Sequence, residues 1–472
     1  MYKSFFIAIL FVATSIAGSA KVKLPSLVGS NMVLQQRSDV KVWGDAKPGS
    51  KVTIKASWSK AAVVALANSD GRWVSTLKTP EAGGPYSITV SDGEPIVLTN
   101  VLVGEVWVCS GQSNMDMPLS GYWNLPIKGS NDIIAGSAQN KTIQIFKVKQ
   151  DYSASPKNDC VGEWQVSSPQ SVAWFSATAY CFGEYLSKTL NVPIGLISTT
   201  WGGSFIEAWM DKETLGNFSD VDYSAIENSK VEPVSKPTVL YNAMVKPLTS
   251  YTIKGVIWYQ GENNTFNAKT YKDKLAAMIG LWRKSWGQGN FPFFFTEIAP
   301  YSYSTPLEGA LLREAQFRVS KELDNVGMAS TNDLVPEFEK DNIHPSDKPS
   351  VGKRLAYWAL AKCYGYDGGI ACSGPSFKSM EVKNSAAVLS FDGANEGFAF
   401  VGDITGFEVA GSDRIFHPAK ATLLFNEKKI SVEASEVATP VAVRYCFKNY
   451  SHGNLYNLKG LPVVPFRTDS WE

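Results

Sequence analysis

Along the chain, the pattern of apolar and polar positions changes texture twice. Near the start, Val40-Lys41-Val42-Trp43-Gly44, Val52-Thr53-Ile54-Lys55-Ala56 and Tyr86-Ser87-Ile88-Thr89-Val90 alternate apolar with polar residues. Pro48-Gly49, Asp70-Gly71, Gly83-Gly84 and Asp92-Gly93 punctuate them. Period-two runs separated by turn residues predict a small β-sandwich over 21–103. From Gly104 the pattern becomes longer apolar runs alternating with helical periodicity. The first run is Val106-Trp107-Val108-Cys109, and others fall at 143–148, 194–199, 256–259, 291–297 and 326–330. Between them, Leu275, Met278, Ile279, Trp282 and Trp286 share one helical face, as do Val351, Leu355, Trp358 and Ala359. Near-continuous apolar strands separated by amphipathic helices predict an α/β region over 104–365, its parallel sheet covered on both faces. Such sheets bind ligands beyond the carboxyl ends of their strands, which is where chemistry is to be sought. After about Tyr366 the β-rich texture returns, with runs at 382–391, 398–401, 421–425 and 441–446. A second all-β region is expected over 366–472.

Residues 1–20 fall outside this scheme. Lys3 opens them, 5–13 form a short apolar run, and Ala17-Gly18-Ser19-Ala20 supplies small residues for cleavage. That layout is a secretory signal peptide, too short in its apolar part to span a bilayer. The expectation is an exported protein, periplasmic or extracellular, with no integral membrane segment after cleavage. With 45 Lys and Arg against 44 Asp and Glu, the net charge of +1 gives no electrostatic ground for a nucleic-acid partner. The mature part carries six cysteines. Cys363 and Cys372 flank a Gly-rich loop and are the favoured bridge, whereas Cys109 reads as a buried free thiol. No cysteine has metal-ligand spacing, and three histidines are too few to favour a zinc site, so neither metal nor organic cofactor is expected. The 14 Trp and 19 Tyr serve large cores first, and some suit a sugar-binding cleft.

Each apolar run of the α/β region ends in polar residues. Ser110-Gly111-Gln112-Ser113-Asn114-Met115 follows the first run. A serine in a glycine-flanked turn can be exposed with a backbone N–H beside it, as a nucleophile needs. The G-x-S-x-G elbow of α/β-hydrolases is absent. Trp201-Gly202-Gly203-Ser204 offers backbone that can approach a ligand closely and donate to an oxyanion. Gln260-Gly261-Glu262-Asn263-Asn264 supplies side-chain amides, and Asp341-Asn342-Ile343-His344-Pro345 pairs an imidazole with a carboxylate three residues earlier. A histidine base requires a second group that fixes its tautomer and ring, and Asp341 is spaced to do so. His417 and His452 lack such spacing and are expected on the surface or in loops, as are Arg283, Arg313, Arg318 and Arg354.

The Gly-Gln-Ser-Asn-Met turn, Gly-Gly-Ser, Trp-Tyr-Gln-Gly-Glu-x-Asn and Asp-x-x-His-Pro resemble the sequence blocks of sialate O-acetylesterases, within the SGNH hydrolase superfamily. The likeness extends over most of the mature chain, including 440–445 and 465–467. It implies a flavodoxin-like α/β fold and a serine esterase that removes O-acetyl groups from carbohydrate, foremost from O-acetylated sialic acid. The implied roles are nucleophile for Ser113, general base and acid for His344, and orienter for Asp341. The oxyanion hole would be the N–H groups of Ser113 and Gly203 with the amide of Asn263 or Gln260. Asn264 stands where the superfamily's Gly-x-Asn-Asp block has Asp. Acetylated xylan is the competing substrate, and a non-catalytic carbohydrate-binding protein the competing class. A neutral His344 is needed for catalysis, so activity is expected to rise through roughly pH 6 to 7.

Overall fold

The computed structural model describes residues 21–471; the expected signal peptide, 1–20, lies outside the described residues. The central strands are β1 (Pro95–Gly111), β2 (Ile143–Lys147), β3 (Trp164–Val166), β4 (Ile194–Thr200), β5 (Gly255–Tyr259), β6 (Phe293–Thr296) and β7 (Val326–Ala329). They lie in the order β7-β6-β5-β1-β4-β2-β3, parallel throughout except for antiparallel β3. The helices that concern the site are α1 (Ser113–Asp116), α2 (Ala177–Leu190), α3 (Ala268–Trp286), α4 (Glu308–Glu322) and α5 (Lys348–Cys363).

Successive side chains on a strand point to opposite faces, and here both faces are buried. Val106 and Val108 of β1, with Val256 and Trp258 of β5, join Leu275, Met278 and Trp282 of α3 and Leu312 of α4. Trp107, Cys109, Ile257 and Tyr259 project the other way, onto Phe182 and Leu186 of α2 and Leu355 and Ala359 of α5. The apolar faces read from the sequence are therefore the buried ones, with Trp358 half-buried and closing its nitrogen onto Met328 O at 2.9 Å.

The first central strand is longer than its apolar run suggested. The first half of β1 pairs antiparallel with Gly83–Ser91 and parallel with Val33–Gln35; its second half pairs with β4 and β5. The expected boundary at 103/104 thus falls inside a strand shared by the N-terminal region and the central sheet. Val40, Val52, Ile54 and Trp73 of that region join the same apolar core as Val106 and Trp258. Beyond α5 the chain forms two four-stranded sheets around a separate core that includes Leu389, Val409, Ile430 and Tyr445. The expected run at 382–391 is a hairpin, Ser376–Lys383 against Ala386–Asp392, because Asn384 and Ser385 both take positive φ and reverse the chain.

All six cysteines are free thiols, so the Cys363–Cys372 bridge is not formed; Cys363 instead ends α5 packed against the inner core. Cys109 is a buried thiol, as its apolar setting implied. Two arginines expected on the surface are buried: Arg354 pairs with Asp333, and Arg313 donates to carbonyls of Lys448 and Asn449. Arg283 caps carbonyls of Phe291 and Asp324 and Arg318 is exposed; none of the four is bonded to a residue of the site described below.

Candidate active site

Ser113 opens α1 immediately after β1, in a turn tied to its neighbours by backbone bonds. Gln112 N donates to Tyr259 O at 3.0 Å, and Trp201 N to Gly111 O at 3.1 Å. Gly261 N donates to the Gln112 side chain at 3.1 Å. These bonds lock together the turns that follow β1, β4 and β5. Gly111 makes the arrangement possible: its φ is +143°, and a Cβ there would stand 2.1 Å from Tyr259 O.

Into this turn cluster comes the loop before α5. His344 Nε2 lies 2.8 Å from Ser113 Oγ, within direct hydrogen-bond reach. The loop is braced locally: His344 N donates to Asn342 Oδ1, and Asn342 Nδ2 donates back to His344 O, each at 2.9 Å. The Tyr122 ring packs edge-on against the imidazole, 5.4 Å between centroids, and its hydroxyl donates to Ser113 O at 3.3 Å. Tyr122 and Leu125 exchange backbone bonds, which hold Trp123 at the tip of that turn, 95% exposed.

Gly202, Gly203 and Asn263 form the facing wall. A Cβ on Gly202 would come within 3.4 Å of the Ser113 Cβ, so this backbone lies against the serine. Gly203 adopts φ +73°, and Asn263 Nδ2 donates to its carbonyl at 2.5 Å. The amide nitrogen of Asn263 carries a second hydrogen that this bond does not use. Gln260 is placed differently. It is fully buried, its Nε2 engaged by Ser204 O and Asn264 Oδ1 and its Oε1 by Tyr271. Asp341, in turn, is exposed, and among the described residues no hydrogen bond joins its carboxylate to His344. His417 and His452 sit in the C-terminal sheets and their loops.

Three residues that spacing alone did not single out support the pair. Asn114, fully buried next to the serine, donates to Glu262 Oε1 at 2.5 Å and to Ile343 O at 3.0 Å. One amide thereby clamps the serine turn, the β5 turn and the histidine loop. Burial pushes the Glu262 carboxyl above the usual carboxylate range. Lys348, one turn beyond His344 and completely buried, donates to Pro345 O. Burial pulls its ammonium down to about 7, against the opposing pull of Glu262, Glu339 and Asp347. His344 is lowered to about 4, first by burial and then by the Lys348 charge, so its imidazole is neutral over most of the pH scale. Asn114 and Glu262 stand inside the motifs, and Lys348 is an apolar-face lysine four residues after the histidine, but nothing in their spacing shows that they meet.

A serine hydroxyl bonded to a neutral imidazole, with backbone and amide donors beside it, is equipped for acyl transfer. The chain's residues 103–361 match the family model described as carbohydrate esterase, sialic acid-specific acetylesterase. The chain belongs to this family. Among its relatives, the mouse sialate O-acetylesterase is 27% identical over 97% of this chain and 96% of its own. The human sialate O-acetylesterase is 30% identical, covering 78% of this chain and 76% of its own. A solved carbohydrate acetylesterase from Xanthomonas citri superposes with a TM-score of 0.86 at 35% identity, covering 95% of this chain and all of that one. The chain is thus a carboxylic ester hydrolase of the carbohydrate esterases, acting on sugar O-acetyl groups. The esterase carries the α/β sheet with its β-rich flanks. No described helix is long and apolar enough to cross a membrane.

Proposed function

We propose that this esterase releases acetate from O-acetylated sialic acid through an acetyl-enzyme on Ser113. The single observation that carries the mechanism is the 2.8 Å contact between Ser113 Oγ and His344 Nε2 at the carboxyl end of the sheet. His344 takes the hydroxyl proton as Ser113 attacks the acetyl carbonyl. The N–H of Ser113, which a helix start leaves without an intrahelical partner, receives the oxyanion together with Gly203 N–H and the Asn263 amide. His344 then returns the proton to the departing sugar hydroxyl, and water attacks the acetyl-enzyme by the same route in reverse. Asn263 is preferred to Gln260 because the latter's amide is already spent on Ser204 and Asn264. Asp341 serves His344 in this reading only when its exposed carboxylate turns inward onto Nδ1. The choice of sialic acid rests on the names of the family and of its mammalian relatives.

Ser113→Ala is expected to fold normally and lose at least about 1,000-fold in kcat for acetate release. Asp341→Asn should lower kcat clearly less than Ser113→Ala does, since Asn342, Tyr122 and Asn114 already hold the histidine loop; a loss as large as that of Ser113→Ala would contradict this. A folded Ser113→Ala enzyme with near-normal turnover would contradict the mechanism. From the sequence of residues 1–20 we place the mature enzyme outside the cytoplasm, in the periplasm or the medium. The 21–103 and 366–472 regions are read as flanking units that brace the 104–365 esterase region.

A further inference from the structure

A groove of about 960 Å³ runs beside the active site, at the upper end of the range typical of small-molecule sites. Its lining includes Lys147, Lys149, Gln150, Gln165, Gln170 and Trp174. It is linked to the serine turn through Asp116. Thr200 donates to Asp116 Oδ1 at 2.6 Å, and Asp116 ends the single turn that Ser113 begins. From the groove side, Lys147 lies 3.8 Å from the same Asp116 oxygen and Gln150 donates to Thr200 O.

Trp174 sets this groove apart. It is 68% exposed, although the chain on both sides of it is pinned. Leu119 N donates to Phe175 O and Ser120 N to Ala173 O, while Phe175 itself is buried. A capping box at Ser168 and Ser171 fixes the short helix Pro169–Ala173 before it, and Lys147 Nζ donates to the Trp174 carbonyl. An exposed indole on a pinned backbone is a stacking face whose main chain has no further freedom to lose when a ring settles on it. Around it, Lys149 and Gln170 have no side-chain hydrogen bond among the described residues, so their donors are available.

We infer that this groove is a subsite for the glycan that continues from the acetylated ring, with a sugar stacked on Trp174 and hydroxyls bonded by Gln170 and Lys149. The inference rests on the sugar-esterase reading and narrows it: the preferred substrate is an oligosaccharide rather than a free monosaccharide. The test compares O-acetylated sialyllactose, free O-acetylated sialic acid and an aryl acetate with the full chain, Trp174→Ala, Trp174→Tyr and Gln170→Ala. Trp174→Ala should lower kcat/KM for the trisaccharide about tenfold, through KM, and leave the other two substrates within about twofold. Trp174→Tyr should restore much of the loss, and Gln170→Ala should raise the trisaccharide KM alone. Equal losses on all three substrates would make Trp174 merely structural, and an unchanged trisaccharide KM would overturn the subsite. Cleavage of the aryl acetate with neither sugar touched would overturn the sialic acid reading instead, and the subsite's ground with it.

Discussion

The imidazole at the centre of the site is tuned by its neighbours more than by the aspartate that the motif supplies. His344 is half-buried against Tyr122 and faces the charge of Lys348, and both burial and that charge disfavour its protonation. Its lowered value of about 4 moves the expected acid limb of kcat/KM to near pH 4, below the pH 6 to 7 anticipated for an ordinary histidine. The sign follows from the direction of the shift. Above that value His344 is neutral and able to accept the serine proton; below it the base is lost. Lys348, at about 7, is charged throughout the acid window and so contributes to the depression there. Lys348→Met should therefore move the acid limb to higher pH while keeping it below the ordinary histidine value, because burial remains. A pH profile of aryl acetate hydrolysis reads this directly, and an unmoved limb would remove Lys348 from the account. The residue identities of Ser113 and His344 were legible in the sequence because each sits in a short motif after an apolar run. The support from Asn114, Glu262 and Lys348 was not. It depends on three turns distant in sequence meeting at one point, and no local period encodes that meeting.

At the scale of elements, strand ends fix where each chemical group stands. The turns after β1, β4 and β5 bring Ser113, Gly203 and Asn263 together because those three strands are adjacent, in the order β5-β1-β4. Gly111 is the joint between strand and nucleophile. Gly111→Ala would force a side chain into left-handed backbone and against Tyr259 O, and is expected to destabilise the fold by at least about 3 kcal/mol. Urea unfolding tests this; a midpoint equal to that of the unaltered protein would mean the turn relaxes without cost. Strand and helix identities were readable where periodicity was strong, as at 194–199 and along Leu275 to Trp286. The extent of β1 was not, because its apolar run Ile96-Val97-Leu98 is cut off from Val106 to Cys109 by Thr99-Asn100 and Gly104-Glu105, and only pairing with the N-terminal strands joins the two. The hairpin at Asn384-Ser385 escaped for a different reason: neither residue is glycine, yet both adopt positive φ.

Over the whole molecule, one strand belongs to two sheets and one core runs through both, so the N-terminal strands and the catalytic sheet support each other. The C-terminal sheets have a separate core and reach the catalytic region through discrete contacts. Arg467 pairs with Glu314 of α4 at 2.9 Å, and Asn449 accepts from Gly309 N at the same distance. The C-terminal region also reaches the loops that follow β6 and β7: Tyr301 N donates to Asn449 O and Asn332 Nδ2 to Val463 O. The texture changes near Gly104 and Tyr366 showed in the sequence that three regions of two kinds exist; the sharing of β1 could be seen only once strands from distant segments were paired. Acetate release by the purified full chain from O-acetylated sialic acid, with acetylated xylan in parallel, is the decisive experiment. Release from the sialic acid in preference to the xylan, abolished in Ser113→Ala, is the expected outcome. Release from xylan alone, or from neither, would contradict it.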